Sequence, residues 1–178
     1  MEKSVRALFR VKGLKNSHFF AIIKKEIEID KSGFAEVNLM ETIYFSNSFA
    51  DNIIVNQNIR WLTVDDYDIF CEHLKLCGQR ILERTKWEQA YADSTLYCGL
   101  FVDGKMVCRA CVEKYSINKW EVGDVRTARE YRGNGYAHQI CSFVLKYILA
   151  QGKTATIRTE EDNTAMKKVI SDLGFSIL

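Results

Sequence analysis

Residues 121–137 read EVGDVRTAREYRGNGYA. The start of this stretch, from Trp120 to Thr127, has the pattern of a β-strand. Its end places Arg132, Gly133, Asn134 and Gly135 directly before the clearest helical period in the chain. Ala137, Ile140, Cys141, Val144, Leu145, Ile148 and Leu149 recur at i, i+3, i+4, i+7, i+8, i+11 and i+12, which predicts an amphipathic helix over 135–150. Gly152 follows as its C-terminal cap. A strand, a glycine turn and a helix in that order leave the amides of the helix's first turn facing outward, where they and the helix dipole favour an anion. Arg132 adds a bidentate phosphate partner at the edge. The complete P-loop pattern is absent. A G-x-G-x-x-G fingerprint beginning at Gly133 has His138 at its third glycine position, and it does not open a first βαβ unit.

On the C-terminal side, Thr154–Thr159 is predicted as a strand. Asp162 or Asn163 caps a last helix whose apolar face is Met166, Val169, Ile170 and Leu173. Gly174 stops that helix, and Phe175–Leu178 begins a final strand. On the N-terminal side, Asp103-Gly104 joins two apolar runs, Leu96–Val102 and Lys105–Tyr115, as a hairpin turn, because glycine takes positive φ at little cost. Before it, a strand is predicted over Asn58–Leu62. Thr63 is an N-cap candidate with Asp65 and Asp66 behind it. A helix follows through Tyr67, Phe70, Cys71 and Leu74, and a weaker one from Gln79 to Ala92. The polar crowd between Ser46 and Asn58 marks a boundary. Residues 1–56 read as a β-rich extension, with alternation over Glu26–Asp30, a turn at Ser32-Gly33, and alternation again through Ala35, Val37 and Leu39. Hairpin strands followed by strand–helix–strand–helix predict an α/β (α+β) mixed sheet covered by helices, with a splay between the strands 120–127 and 154–159.

The chain has 178 residues, 27% of them charged and 47% hydrophobic, an ordinary globular balance. Lysine plus arginine is 25 and aspartate plus glutamate 23, a net charge of +2. That gives no electrostatic reason to expect a nucleic-acid or membrane-surface partner. No apolar run reaches the ~18 residues of a membrane span, and a cytoplasmic location is expected. The six cysteines sit in apolar stretches and are read as reduced, buried thiols. Cys108 and Cys111 form a C-x-x-C on a strand, where i and i+3 point to opposite faces. His18, His73 and His138 form no local pair, so no metal site is expected.

The segment Glu121–Ala137 resembles the acetyl-CoA-binding segment of the GNAT N-acyltransferase superfamily. That family's Q/R-x-x-G-x-G/A signature is met by Arg132, Gly135 and Ala137. Asn163, Val169, Leu173, Gly174 and Phe175 resemble its C-terminal helix and strand, and Arg60 to Tyr67 its first strand and helix start. The resemblance covers residues 57–178. It implies a GNAT-like fold and an enzyme that moves an acetyl group from acetyl-CoA directly to a primary amine, on a small molecule or a protein.

The resemblance also implies roles. Arg132, Gly133, Asn134, Gly135, Tyr136 and Ala137 would hold the pyrophosphate. Val125, Arg126 and Thr127 would offer strand amides to the pantetheine arm and the thioester carbonyl, with Asn163 also near the cofactor. Glu121 is the candidate base, acting through a water, with Glu113 the weaker alternative. Many family members carry a tyrosine seven residues after the asparagine to protonate the leaving thiolate; here that residue is Ile170, which also fits the helix's apolar stripe. Arg129 replaces a commonly seen proline. Trp87 is expected to pack, in a region where the family shapes its acceptor pocket. The predicted sheet lacks an edge, to be supplied by the N-terminal extension or by a second copy in a homodimer. The competing reading is a coenzyme A-binding sensor or interaction domain without catalysis, favoured by Ile170 and opposed by Glu121.

Overall fold

The period that predicts the helix after the glycine turn is realised over α3, Tyr136–Ala150. Ile140, Val144, Leu145 and Ile148 on its inner stripe are inaccessible to solvent. They pack on one face of a six-stranded sheet, which the computed structural model presents in the order β1-β6-β5-β4-β3-β2. The structure describes residues 42–46, 48, 56–93, 95–114 and 116–177. The alternation over 26–39 lies outside them.

The strands are β1 (Thr42–Ser46), β2 (Ile59–Trp61), β3 (Leu96–Val102), β4 (Lys105–Glu113), β5 (Lys119–Thr127) and β6 (Thr154–Thr159). The other helices are α1 (Tyr67–Leu76), α2 (Arg84–Ala92) and α4 (Thr164–Asp172). Asp103 and Gly104 both take positive φ, 50° and 76°. This is the mirror-image turn whose twist matches that of the flanking strands, so β3 and β4 fold back on each other from Val102↔Lys105. Antiparallel pairing runs from β2 to β5, and the α3 crossover then makes β6 parallel to β5. At the far edge β1 pairs antiparallel with β6, from Thr42↔Thr159 to Ser46↔Ala155. A segment N-terminal to residue 57 therefore supplies the sheet edge.

Alternation sorts the side chains. Leu100, Ala110, Val112, Val122, Ala155 and Ile157 join α3, Ile170 of α4 and Leu173 just after that helix in one core. On the opposite face Leu62, Phe70, Leu74, Trp87 and Met106 form a second cluster under α1 and α2. Trp87 is fully buried there, donates its indole N–H to the Val64 carbonyl at 2.7 Å, and lies 4.5 Å from the Phe70 ring and 5.5 Å from Tyr97. Packing is thus its role in the fold. The helix expected from Gln79 starts only at Arg84. Gly78 turns the chain with φ 67°, and the Gln79 side chain is drawn inward to Arg109 instead of starting a turn. Phe175 and Ser176 do not extend a strand; they make a single bridge to Phe45.

Truncating Ile148 to alanine removes a side chain with no solvent exposure. It is expected to cost about 2–5 kcal/mol in urea unfolding. Ile117→Ala, at a residue 84% exposed, should stay within about 0.5 kcal/mol of wild type.

Candidate active site

The site begins where two parallel strands part. β5 and β6 pair from Lys119↔Thr154 to Val122↔Ile157, and β5 then runs on to Thr127 held only by β4. On the β4 side, Arg109 and Cys111 face Arg126 and Gly123. Two residues of β4 thus span a three-residue step of β5, which is a bulge. Its centre is Asp124, with φ 44°, a left-handed conformation that non-glycine residues rarely take. The pairing of these strands stops at Val122↔Ile157, as the predicted splay requires, and the bulge lies directly beyond that point.

Beyond Thr127 the chain makes a 3-10 turn over Arg129–Tyr131 and reaches the glycines. Ala128 N–H is tied to the Val107 carbonyl at 2.9 Å, and Arg132 Nε donates to the Thr127 carbonyl at 3.3 Å. Gly133 and Gly135 take φ 84° and 73°, a conformation that favours glycine and that, among other residues, asparagine and aspartate take at least cost. Asn134 closes it by donating from Nδ2 to the Tyr131 carbonyl at 3.1 Å. Gly135 is the N-cap of α3, and the first backbone bond of the helix runs from Gln139 N–H to Gly135 O at 3.1 Å. The amides of Tyr136, Ala137 and His138 therefore have no acceptor within the helix, and no side chain caps them. A β-carbon on Gly133 would meet nothing within 4 Å, and one on Gly135 only Gln139 Nε2 at 3.9 Å. Both glycines thus have open space where a side chain would stand, among the described residues. Gln139 is itself held by Asn56, whose Nδ2 donates to Gln139 Oε1 at 2.7 Å.

Glu121 lies three residues before Asp124 on the sheet face opposite Val122. It is buried, and Arg158 of β6 donates to its Oε1 from Nε at 2.7 Å and from Nη2 at 2.6 Å. Thr156 Oγ1 approaches its Oε2 at 3.5 Å. Glu113 stands directly across from it on β4. A β-carbon at position 123 would come within 2.9 Å of Glu113 Oε1, so Gly123 makes room for that carboxylate. Both candidate bases thus share one face beside the splay. Asn163 is the N-cap of α4, accepting from Met166 N–H at 3.1 Å. Ile170 is in the core, as its place in the apolar stripe predicts. Among the described residues no cluster of His, Cys, Asp and Glu could hold a metal ion, and no helix is long and apolar enough to cross a membrane. The tripeptide Gly152-Lys153-Thr154 matches the end of a P-loop pattern, but it follows the carbonyl pole of α3, and Tyr147 stands where the first glycine would be.

The sequence did not single out the polar cluster beneath the bulge. Arg109, 1% exposed in the middle of β4, brackets Asp124 with Nε to Oδ2 at 2.7 Å and Nη2 to Oδ1 at 3.0 Å. Its Nη2 also donates to Gln79 Oε1 at 2.6 Å, and its Nη1 to His73 Nδ1 at 3.0 Å. An arginine can only donate, so Nδ1 accepts and His73 is neutral. Burial first, and the Arg109 charge second, push the imidazole down to about 4. A single charged residue in the apolar run MVCRACV (residues 106–112) was the one available signal.

The histidine has a consequence for stability. Unfolded, it takes a proton near pH 6.5; folded, it resists until about 4. Between those values the unfolded chain binds the extra proton, so stability is complete above about pH 6.5 and falls as the pH drops towards 4. The loss should reach about 3 kcal/mol at the acid end. Urea midpoints measured from pH 7 to 4 are expected to fall accordingly, and the slope should flatten in His73→Gln, whose amide oxygen can still accept from Arg109.

The sequence model of the acetyltransferase (GNAT) family matches residues 57–175. The chain belongs to the GNAT family of acetyltransferases. No curated protein matches it. Among solved structures, it is similar to a GNAT-family acetyltransferase from Novosphingobium aromaticivorans, at 20% identity and TM-score 0.61, over 78% of this chain and 60% of that one. It is also similar to the ribosomal-protein-S18-alanine N-acetyltransferase of Escherichia coli, at 15% identity and TM-score 0.57, over 66% and 76% of the two chains. AAC(6')-Iy in complex with the bisubstrate analogue CoA-S-monomethyl-acetylneamine matches at 17% identity and TM-score 0.55, over 66% and 89%. The GNAT chain thus spans three-fifths of the length of the Novosphingobium protein.

Proposed function

We propose that this GNAT protein is an acetyl-CoA-dependent N-acetyltransferase acting on a primary amine. The observation that carries the reading is the continuity of one backbone segment. The bulge at Asp124, the edge of 125–127 that β6 leaves unpaired and the uncapped amides that begin α3 follow one another along the chain. An extended acyl-CoA arm needs such a path, with strand-like pairing along its pantetheine and anion donors at its pyrophosphate. In this reading residues 57–178 carry the chemistry, and residues 1–56 are an extension.

Acetyl-CoA supplies an activated thioester when bound. The residues of the chain do the rest. The amides of Gly133 to Ala137, with Arg132, hold the diphosphate. Val125, Arg126 and Thr127 offer main-chain groups to the arm, and a donor there stabilises charge developing on the acyl carbonyl. Asn163, which begins α4, is assigned to the same cofactor side. An amine arrives as ammonium at neutral pH and must lose a proton before attack. Glu121 is assigned to take it through a water. A thiol of pKa ~8.5 leaves readily as thiolate, so Ile170 in place of a tyrosine is compatible with turnover.

One of the similar structures is named a ribosomal-protein-S18-alanine N-acetyltransferase, and another holds the bisubstrate analogue CoA-S-monomethyl-acetylneamine. A protein or small-molecule amine is therefore the acceptor class to test. Thiol release from acetyl-CoA, assayed against a panel of amines and N-terminal peptides, is expected to rise with at least one of them. Tight coenzyme A binding with no release across the panel would favour the second reading, a non-catalytic coenzyme A sensor, for which the buried Ile170 is the supporting observation.

A further inference from the structure

We infer that the pair between buried Arg109 and half-buried Asp124 is a positioning device that holds the β5 bulge in the shape needed to receive an acyl-CoA arm. The inference rests on the acetyltransferase reading and deepens it, since it assigns a task to residues outside the cofactor segment's signature.

Three observations converge. The bulge sits one residue beyond Gly123, just past the last β5–β6 pair, so its shape decides where the strands part. Its central residue is a non-glycine at φ 44°. A side chain there is disfavoured relative to glycine, and the conformation persists only where its surroundings impose it. The surroundings do so here: the guanidinium meets both carboxylate oxygens of Asp124, at 2.7 and 3.0 Å, which fixes the orientation of that side chain and with it the backbone.

The rest of the cluster serves the guanidinium. Every one of its nitrogens is engaged, by Asp124, His73 and Gln79. The Phe70 ring lies 5.3 Å from its central carbon. His73 belongs to α1, and Gln79 follows Gly78 just beyond that helix's end. The bulge is thus tied through Arg109 to α1 and to the turn that follows it. Burying a charge such as the Arg109 guanidinium is a weak way to gain stability compared with apolar packing. A pair placed under a strained backbone step at the mouth of the splay is accounted for by the geometry it imposes. Arg109 and Asp124 need not touch the reacting atoms; they act through the main chain of 125–127.

The test uses the full chain and reads coenzyme A affinity by titration calorimetry alongside thermal melting. Arg109→Met removes the bracket, and coenzyme A affinity is expected to fall about tenfold, the scale of the left-handed preference it leaves unsupported. Adding Asp124→Gly should restore most of that affinity, because glycine holds positive φ unaided. A merely structural pair would lower the melting temperature in the single variant without this pattern of loss and rescue. Should Arg109→Met fail to fold, Arg109→Lys keeps the charge but cannot bracket both oxygens, and an affinity loss of several-fold is expected. Wild-type affinity in a folded Arg109→Met or Arg109→Lys protein would overturn the inference, as would a double variant no better than the single one. If the wild-type chain itself binds no coenzyme A, the acetyltransferase reading fails together with it.

Discussion

Gly135→Asp is expected to weaken coenzyme A binding by about a hundredfold while leaving the fold intact. Position 135 has φ 73° and a free space around its missing β-carbon, with Gln139 Nε2 at 3.9 Å as the nearest atom. Aspartate tolerates the left-handed region better than most residues, so the backbone should accept it. Its carboxylate would then stand at the N-terminus of α3, where it caps the amides that otherwise face a diphosphate. Two like charges about 4 Å apart near a protein surface repel by about 4 kcal/mol at an effective dielectric of about 20. Salt and side-chain movement reduce this, which leaves roughly two decades of affinity. Gly135→Asn separates charge from shape, since it has the same size and the same tolerance of positive φ. It should lose far less, and the Asp variant should recover in part at high salt. Calorimetric titration giving wild-type affinity for Gly135→Asp would remove the glycine turn from the cofactor site.

The path from sequence to this turn was short because everything in it is local. The period of α3, the Asp103-Gly104 hairpin and the order of strands and helices are short-range patterns, and the sheet follows from them. The bulge was not legible. Asp124 looks like any strand residue, and its left-handed backbone depends on Arg109 across the sheet. Nor was the environment of Glu121, because Arg158 reaches it only after α3 carries the chain back to lay β6 beside β5. The start of α2 was misplaced for a related reason: Gln79 has a long-range partner that overrides its helix propensity. The local motif thus indicated where the cofactor should lie, and the residues that shape the site beside it come from strands and helices far apart in sequence.

Glu121→Gln is expected to lower turnover by about 10²–10⁴, the range for losing a general base, with acetyl-CoA affinity nearly unchanged. The affinity should hold because the cosubstrate is assigned to backbone amides and the glycine turn, not to this side chain. The structure adds a condition to that expectation. Glu121 is engaged by Arg158 at 2.6–2.7 Å, so the substitution also weakens an ion pair. Glutamine can still accept from the guanidinium, and Arg158, 41% exposed, can turn to water, so the fold should survive. Arg158→Gln supplies the complementary measurement. If Glu121 accepts the proton of the amine, Arg158→Gln should change turnover and leave acetyl-CoA affinity nearly constant, and the residual rate of Glu121→Gln should climb with pH as free amine becomes available unaided. If the pair is only structural, both variants should melt earlier and keep the wild-type profile. A Glu121→Gln enzyme with undiminished turnover across roughly pH 6–9 would transfer the role to Glu113, which faces it across the strand pair, or to an amine that binds already neutral.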